Sequence, residues 1–246
     1  MIYAVLGGII TYIVIFSAAI IAGIIQTVTG FGAAVLLMLV MPHFFDMVAA
    51  PAVTSAITVG LSLTLAWKFR KHINLNACLF PALVYLLFST ASISIAKKLN
   101  LEYLSLAFSI FLIILAIYFY VFSDKITLQA NLKTAAVCAM ISGITSGFWG
   151  IGGPLMAVYF ISAIEDKKSY IGTIQFLFAF TNIINLLIRI ANGIYTINLI
   201  PATILGLAGI TIGKLAGLRI LDKIYPVKIK KLVYAFVGIS GVLSLF

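Results

Sequence analysis

Charged residues are scarce in this sequence, and acidic residues are the scarcest among them. Only 9% of the 246 residues are charged, and six of these are Asp or Glu. Water-soluble domains carry about 25% charged residues. A chain that is 63% hydrophobic, with a mean hydropathy of +1.22, cannot cover its surface with polar groups. The composition therefore excludes a water-soluble domain and indicates that the solvent of this protein is the lipid bilayer.

The missing groups also exclude several kinds of chemistry. All six carboxylates lie at the ends of apolar runs or in loops, so no paired intramembrane acids are available for acid–base catalysis. The sequence contains no Walker-type phosphate loop. Its two cysteines and two histidines lack the spacing of metal ligands. We therefore expect no enzyme, no cofactor and no metal site.

Long apolar runs are what the sequence has instead. They are continuous rather than alternating, which favours helices over barrel strands. Two short runs, 32–42 and 153–164, each follow a glycine cluster. The first run lacks a basic n-region, so we expect a retained helix and not a cleaved signal peptide. Because a helix needs about 20 apolar residues to cross the hydrocarbon, we predict the longer helical segments near 3–22, 47–67, 77–96, 102–122, 134–148, 170–188, 198–213 and 229–245.

The basic residues set the expected orientation. The net charge of +10 comes from sixteen Lys and Arg, which all lie in or beside the breaks between apolar runs. This placement is typical of the positive-inside rule and argues against nucleic-acid binding. Counting the runs in order leaves only Lys97, Lys98 and Arg189 on one side. We expect the other side to be cytoplasmic and both termini to be extracytoplasmic. Ten crossings, or fewer with re-entrant hairpins, fit this count equally.

A constant shift of 120 residues aligns one half of the chain with the other. The matches need no gap between residues 23 and 102, and they place Gly23, Gly30, Gly32, Asp46 and Pro81 on Gly143, Gly150, Gly152, Asp166 and Pro201. Each half holds about five apolar segments, an odd number, so the second half is expected to be inverted in the membrane. We predict an all-α polytopic membrane protein with two inverted repeats and short or re-entrant half-helices at the glycine clusters. The expected organisation is a first repeat (1–122), a central cytoplasmic linker (123–133) and a second repeat (134–246), forming one membrane domain.

The two glycine clusters are the candidate substrate site. Paired interruptions at matching places in inverted repeats mark the site in secondary transporters, and unwound backbone in a membrane must be buried in protein or line a wet cavity. The positive end of the helix that follows each cluster suits an anion. Close helix packing by small residues is the alternative. The candidate substrate-binding residues of the clusters are Gln26, Thr27, Thr29, Gly30, Gly32, Thr145, Ser146, Gly147, Trp149, Gly150, Gly152 and Gly153.

A polar stripe on the run 170–188 adds further candidates. Its members share one helical face, because they follow a spacing of 7, 3 and 4 residues: Gln175, Asn182, Asn185 and Arg189. Polar groups in hydrocarbon are costly, so this face is expected to point inward. We add Gln175, Asn182 and Asn185 to the substrate-binding residues. The alternatives are amides that only bond neighbouring helices, and an Arg189 that extends to the membrane surface.

These features favour a gradient-driven secondary transporter of small anions that works by alternating access, with a passive anion channel as the alternative. The expected partners are a small anionic substrate and the lipid bilayer. The sequence does not decide whether the protein forms a homo-oligomer or whether transport is coupled to a proton or another ion.

The two clusters also resemble a known family. GIIQTVTGFGAAVLLMLVM (23–41) and GITSGFWGIGGPLMAVYF (143–160) are similar to the paired signatures of the TauE/SafE sulfite exporter family, also called the toluenesulfonate uptake permease family. The resemblance extends along nearly the whole chain, including FLFAFTNIINLLIRIANGIYT (176–196). It implies a multi-pass inner-membrane transporter, coupled to a proton or ion gradient, for sulfite, thiosulfate, sulfonates or sulfoacetate. By position it implies a substrate route along Gln26, Thr29, Gly30, Gly32, Ser146, Gly150, Gly152, Gly153 and Pro154. The direction of transport stays open.

Overall fold

The structure, a computed structural model, describes residues 2–122 and 129–221. Within these ranges the chain is α-helical and contains no strand. Short 3-10 turns at Met41–His43, Arg70–His72 and Ile197–Leu199 join some of the helices. The predicted segment 229–245 and residues 123–128 of the predicted linker lie outside the described residues. The described helices are α1 (Ile2–Thr29), α2 (Ala33–Val40), α3 (Ala49–Lys68), α4 (Leu75–Ala96), α5 (Leu101–Phe122), α6 (Leu132–Trp149), α7 (Gly153–Ala163), α8 (Lys167–Ala191) and α9 (Ile200–Leu221).

Several of these helices have the length and hydropathy of membrane spans. Five stretches of the described chain qualify: Ile10–Thr29, Ala49–Lys68, Leu75–Ala96, Lys167–Ala191 and Ile197–Leu221. Large aliphatic side chains on their outer faces are exposed, as on α4, where Leu83 and Leu87 are 65% and 68% exposed. Such faces match lipid tails and not water. The predicted all-helical, multi-pass membrane protein is confirmed.

The repeated aspartates have a local structural role at the starts of two central helices. Asp166 is the N-cap of α8, and its Oδ2 accepts a hydrogen bond from the backbone N–H of Ser169 at 2.8 Å. This bond holds the pKa of the Asp166 carboxyl below its usual value. Its counterpart Asp46 accepts from the N–H groups of Val48 and Ala49 before α3. Capping of this kind fixes where a helix begins.

The helices pack in pairs, and the shift of 120 residues relates each pair to another pair of the fold or to itself. α3 lies against α8 in the centre, α1 packs on α9, and α4 packs on α6. The shift turns α1 into α6 and α4 into α9, so the α1–α9 pair corresponds to the α6–α4 pair. The contacts of α3 with α9 and of α8 with α4 correspond in the same way.

Two predicted helical segments were too short at their C-terminal ends, because the helices continue through glycines that were expected to end them. α1 was expected to end near residue 22 but runs on through Gly23, and α9 continues past Gly213. A Cβ added at Gly23 would lie 2.5 Å from the carbonyl oxygen of Ile210 on α9. Gly209, Gly213 and Gly217, spaced by four residues, face α1 in the same way. Here the close-packing interpretation of small residues applies.

Candidate functional site

Both glycine clusters lie at breaks between two helices. α1 ends at Thr29 and α2 begins at Ala33, while α6 ends at Trp149 and α7 begins at Gly153. Gly30, Gly32 and Gly150 have φ angles of +88°, +105° and +70°. Side chains rarely tolerate these left-handed angles, so the backbone itself requires glycine at the three positions. The breaks match at the shift of 120 residues.

A small cavity of about 20 Å³ lies between the two breaks. Six of the predicted substrate-binding residues line it: Gln26, Gly32, Gly150, Gly152, Gly153 and Asn182. The sequence analysis missed the five other lining residues: Ala34, Val35, Thr58, Tyr85 and Phe178. Thr58 and Phe178 are partners under the shift of 120 residues and lie between the polar positions of their helices, so the repeat alignment contained a signal for both. Tyr85 carried no such signal.

The first turns of two short helices border this cavity. Gly32, Ala34 and Val35 contribute from the start of α2, and Gly152 and Gly153 contribute from the start of α7. Neither N-cap glycine supplies a side-chain acceptor for the first backbone N–H groups. Backbone N–H groups that have no partner within their own helix, and the positive ends of two helix dipoles, therefore border one small space. Pro154 in the first turn of α7 contributes no N–H. That arrangement suits a small anion.

Neutral side chains hold the carbonyl end of α1 at the first break. Gln175 Nε2 donates to the carbonyl of Gly30 at 2.6 Å, and the Tyr170 hydroxyl donates to the carbonyl of Thr29 at 2.8 Å. Gln26 Nε2 donates to Gln175 Oε1 and to Ser62 Oγ, both at 3.1 Å. The network satisfies carbonyls that the helix end leaves free and joins α1, α3 and α8 beside the cavity.

A cation holds the carbonyl end of α6 at the second break. Arg189 Nη2 donates to the carbonyls of Gly147 at 2.7 Å and Ser146 at 3.2 Å. Asn185 Nδ2 donates to Ser146 Oγ at 3.3 Å, and Ser89 Oγ donates to Asn185 Oδ1 at 2.8 Å. Arg189 is fully buried, so the alternative that its side chain extends to the membrane surface is wrong. The predicted stripe on α8 thus serves both breaks.

Glycines 147 and 152 are needed for space and not for an unusual backbone angle. A Cβ at Gly152 would collide with the Tyr85 hydroxyl, and a Cβ at Gly147 would collide with Ser92. Gly152 faces the cavity, whereas Gly147 faces α4. Gly147 therefore serves helix packing, and its carbonyl binds Arg189.

Other predicted site residues point away from the cavity. Trp149 packs against Phe108 and Phe111 of α5, and its Nε1 donates to the carbonyl of Leu104 at 3.2 Å. Thr27 is buried against Gly217 of α9. The hydroxyl of Thr145 lies within hydrogen-bond distance of the Ile141 carbonyl of its own helix, and that of Thr29 lies near the carbonyls of Ile25 and Phe31.

Apolar helices of spanning length, packed around a small cavity with polar residues in its wall, define a multi-pass α-helical membrane protein. The family can then be stated: the chain belongs to the sulfite exporter TauE/SafE family, whose model matches residues 15–244. The resemblance drawn from the two glycine clusters is confirmed. Membership implies a membrane exporter of sulfite or related small anions rather than an enzyme. No curated protein and no solved structure matches the chain.

Proposed function

We propose that this protein is a gradient-driven transporter that moves small sulfur-containing or organic anions by alternating access. One observation carries the proposal, namely that the first turns of α2 and α7 border the same buried cavity. Each turn brings a positive dipole end, and backbone N–H groups without a partner in their own helix, to the border of that space. Gln26 and Asn182 add polar side chains to its wall. Family membership supports an anion as the substrate.

We infer further that the two repeats are inverted and that each broken helix pair is a hairpin whose short second helix, α2 or α7, does not cross the membrane. α2 has 8 residues and α7 has 11, lengths of about 12 and 16 Å against the roughly 30 Å of hydrocarbon. Each short helix packs on the helix before it. Lys133 near the start of α6 and Lys167 at the start of α8 support a cytoplasmic entry for the second hairpin and extracytoplasmic termini.

The cavity in this conformer is too small to hold the proposed substrate. A volume of about 20 Å³ holds little more than one water molecule, while sulfite has four heavy atoms. The proposed cycle therefore opens the cavity alternately to either side. The polar networks at the two breaks are the contacts that such motions would break and re-form.

Accumulation in proteoliposomes tests this proposal. Purified protein is reconstituted, and uptake of ³⁵S-labelled sulfite, thiosulfate, sulfoacetate and taurine is followed with and without a pH gradient. We expect at least one of these anions to reach a higher concentration inside than outside when a gradient is present. Equilibration without accumulation would indicate the passive channel, and the absence of any flux would overturn the proposal.

A further inference from the structure

Arg189 is the one charged side chain that is buried in the described part of the chain. Only one of its three guanidinium nitrogens, Nη2, has hydrogen-bond partners, and both are backbone carbonyls. Nε and Nη1 are buried without any partner. A guanidinium has five N–H donors, so most of its hydrogen-bonding capacity is unused.

No carboxylate balances this charge within the described residues. Asp46, Glu102, Glu165 and Asp166 are all exposed, and none of them pairs with Arg189. A buried charge without a counter-charge is costly, because it has lost its hydration and gained no partner. The carbonyl end of α6 compensates in part, since a helix C-terminus carries roughly half a negative elementary charge. Among the described residues, a net positive charge therefore remains at this buried position.

This charge lies beside the cavity without touching it. Arg189 holds Ser146 and Gly147 in the last turn of α6, and Gly150, the next residue after that helix, lines the cavity. Tyr85 lines the cavity as well. Without Arg189, the carbonyl end of α6 would present negative partial charge at the place where the amides of α7 begin.

We propose that the transported anion is the counter-ion of Arg189. An anion in the cavity completes the charge balance of the buried guanidinium, so occupancy of the cavity and stability of the fold are coupled. Arg189 acts through the end of α6, whose carbonyls it binds, and it is therefore a positioning residue that sets the selectivity for anions. The inference rests on the proposed function and adds the residue that makes the site selective for negative charge.

Thermal unfolding of the full chain with sulfite as the probe tests this inference. Sodium sulfite is compared with sodium gluconate at equal ionic strength, which separates binding from screening. We expect sulfite to raise the unfolding midpoint of the wild type, because a ligand that binds only the folded state stabilises it. Arg189→Gln is expected to show no such rise and a KM for transport at least about tenfold higher. Arg219→Gln changes the net charge equally at an exposed position and should behave as the wild type.

Arg189→Lys keeps the charge and is the second variant, which covers the case in which Arg189→Gln does not fold. It should retain the rise of the midpoint with sulfite. A folded Arg189→Gln with the full rise would show that Arg189 only clamps α6, and loss of the rise in a folded Arg189→Lys would equally overturn the proposal. If either of these two overturning results is found and the wild type still transports sulfite, only the inference about Arg189 fails and the proposed function stands. A wild type with neither transport nor a rise overturns both.

Discussion

The two helix breaks share a backbone plan and differ in charge. At the first break, the neutral side chains of Gln175 and Tyr170 hold the carbonyls that end α1. At the second break, a buried guanidinium holds the carbonyls that end α6. The position that corresponds to Arg189 in the first half is Phe69, which is apolar. In the proposed arrangement of two repeats, the matching glycines account for the two helix ends beside the cavity. The proposed role of Arg189 adds a positive charge at the second break alone.

The largest expected effect is at Gly152, which borders the cavity from the second break. Gly152→Leu places a branched side chain where even a Cβ collides with Tyr85, so we expect transport to be abolished while the protein still inserts. Flux in proteoliposomes measures this. The control is Gly193→Asn, since no atom lies within 4 Å of a Cβ added at Gly193. Undiminished flux in Gly152→Leu would contradict a site at this break.

The next effect compares the two polar networks. Gln175→Ala removes the donor to Gly30 and the acceptor for Gln26, and each buried group left unpaired costs about 1–3 kcal/mol. Asn185→Ala removes only side-chain partners, Ser89 and Ser146. We expect Gln175→Ala to lower the unfolding midpoint more than Asn185→Ala. The reverse order would mean that the second break is the more rigid of the two.

A smaller difference is expected between two equivalent glycines. Both Gly30→Ala and Gly150→Ala place a side chain at a positive φ, which costs about 1–3 kcal/mol. A Cβ at Gly30 would also lie 2.9 Å from the Tyr170 hydroxyl, whereas at Gly150 the nearest atom lies at 3.5 Å. Gly30→Ala should therefore reduce the free energy of unfolding more. Equal losses would show that Tyr170 moves away freely.

Trp149→Phe should have the smallest effect on function. It removes the hydrogen bond to Leu104 and keeps an aromatic ring against Phe111, so we expect a loss of about 0.5–1.5 kcal/mol in stability. The KM for sulfite should stay at the wild-type value. A changed KM for sulfite at unchanged stability would instead show that Trp149 contacts the substrate.

The sequence predicted the described helices, the two breaks and six of the eleven residues that line the cavity, for physical reasons. Hydropathy determines which runs form membrane helices, and the repeated glycines located both breaks. The direction in which a residue of a small-residue cluster points depends on its helix neighbours. Gly147 and Trp149, which face α4 and α5, could therefore not be separated from Gly150 and Gly152. Burial of Arg189 depends on α6 ending beside α8, a tertiary contact that periodicity does not contain.

The central claim is that an anion binds between the two helix breaks, and a crystal structure with selenite tests it most directly. Selenite is a heavier analogue of sulfite, and anomalous scattering from selenium locates it without ambiguity. The account predicts a selenium peak between Gly32 and Gly152, beside Asn182. A peak only at the basic surface pocket lined by Lys68, His72 and Lys168, with none between the breaks, would contradict it.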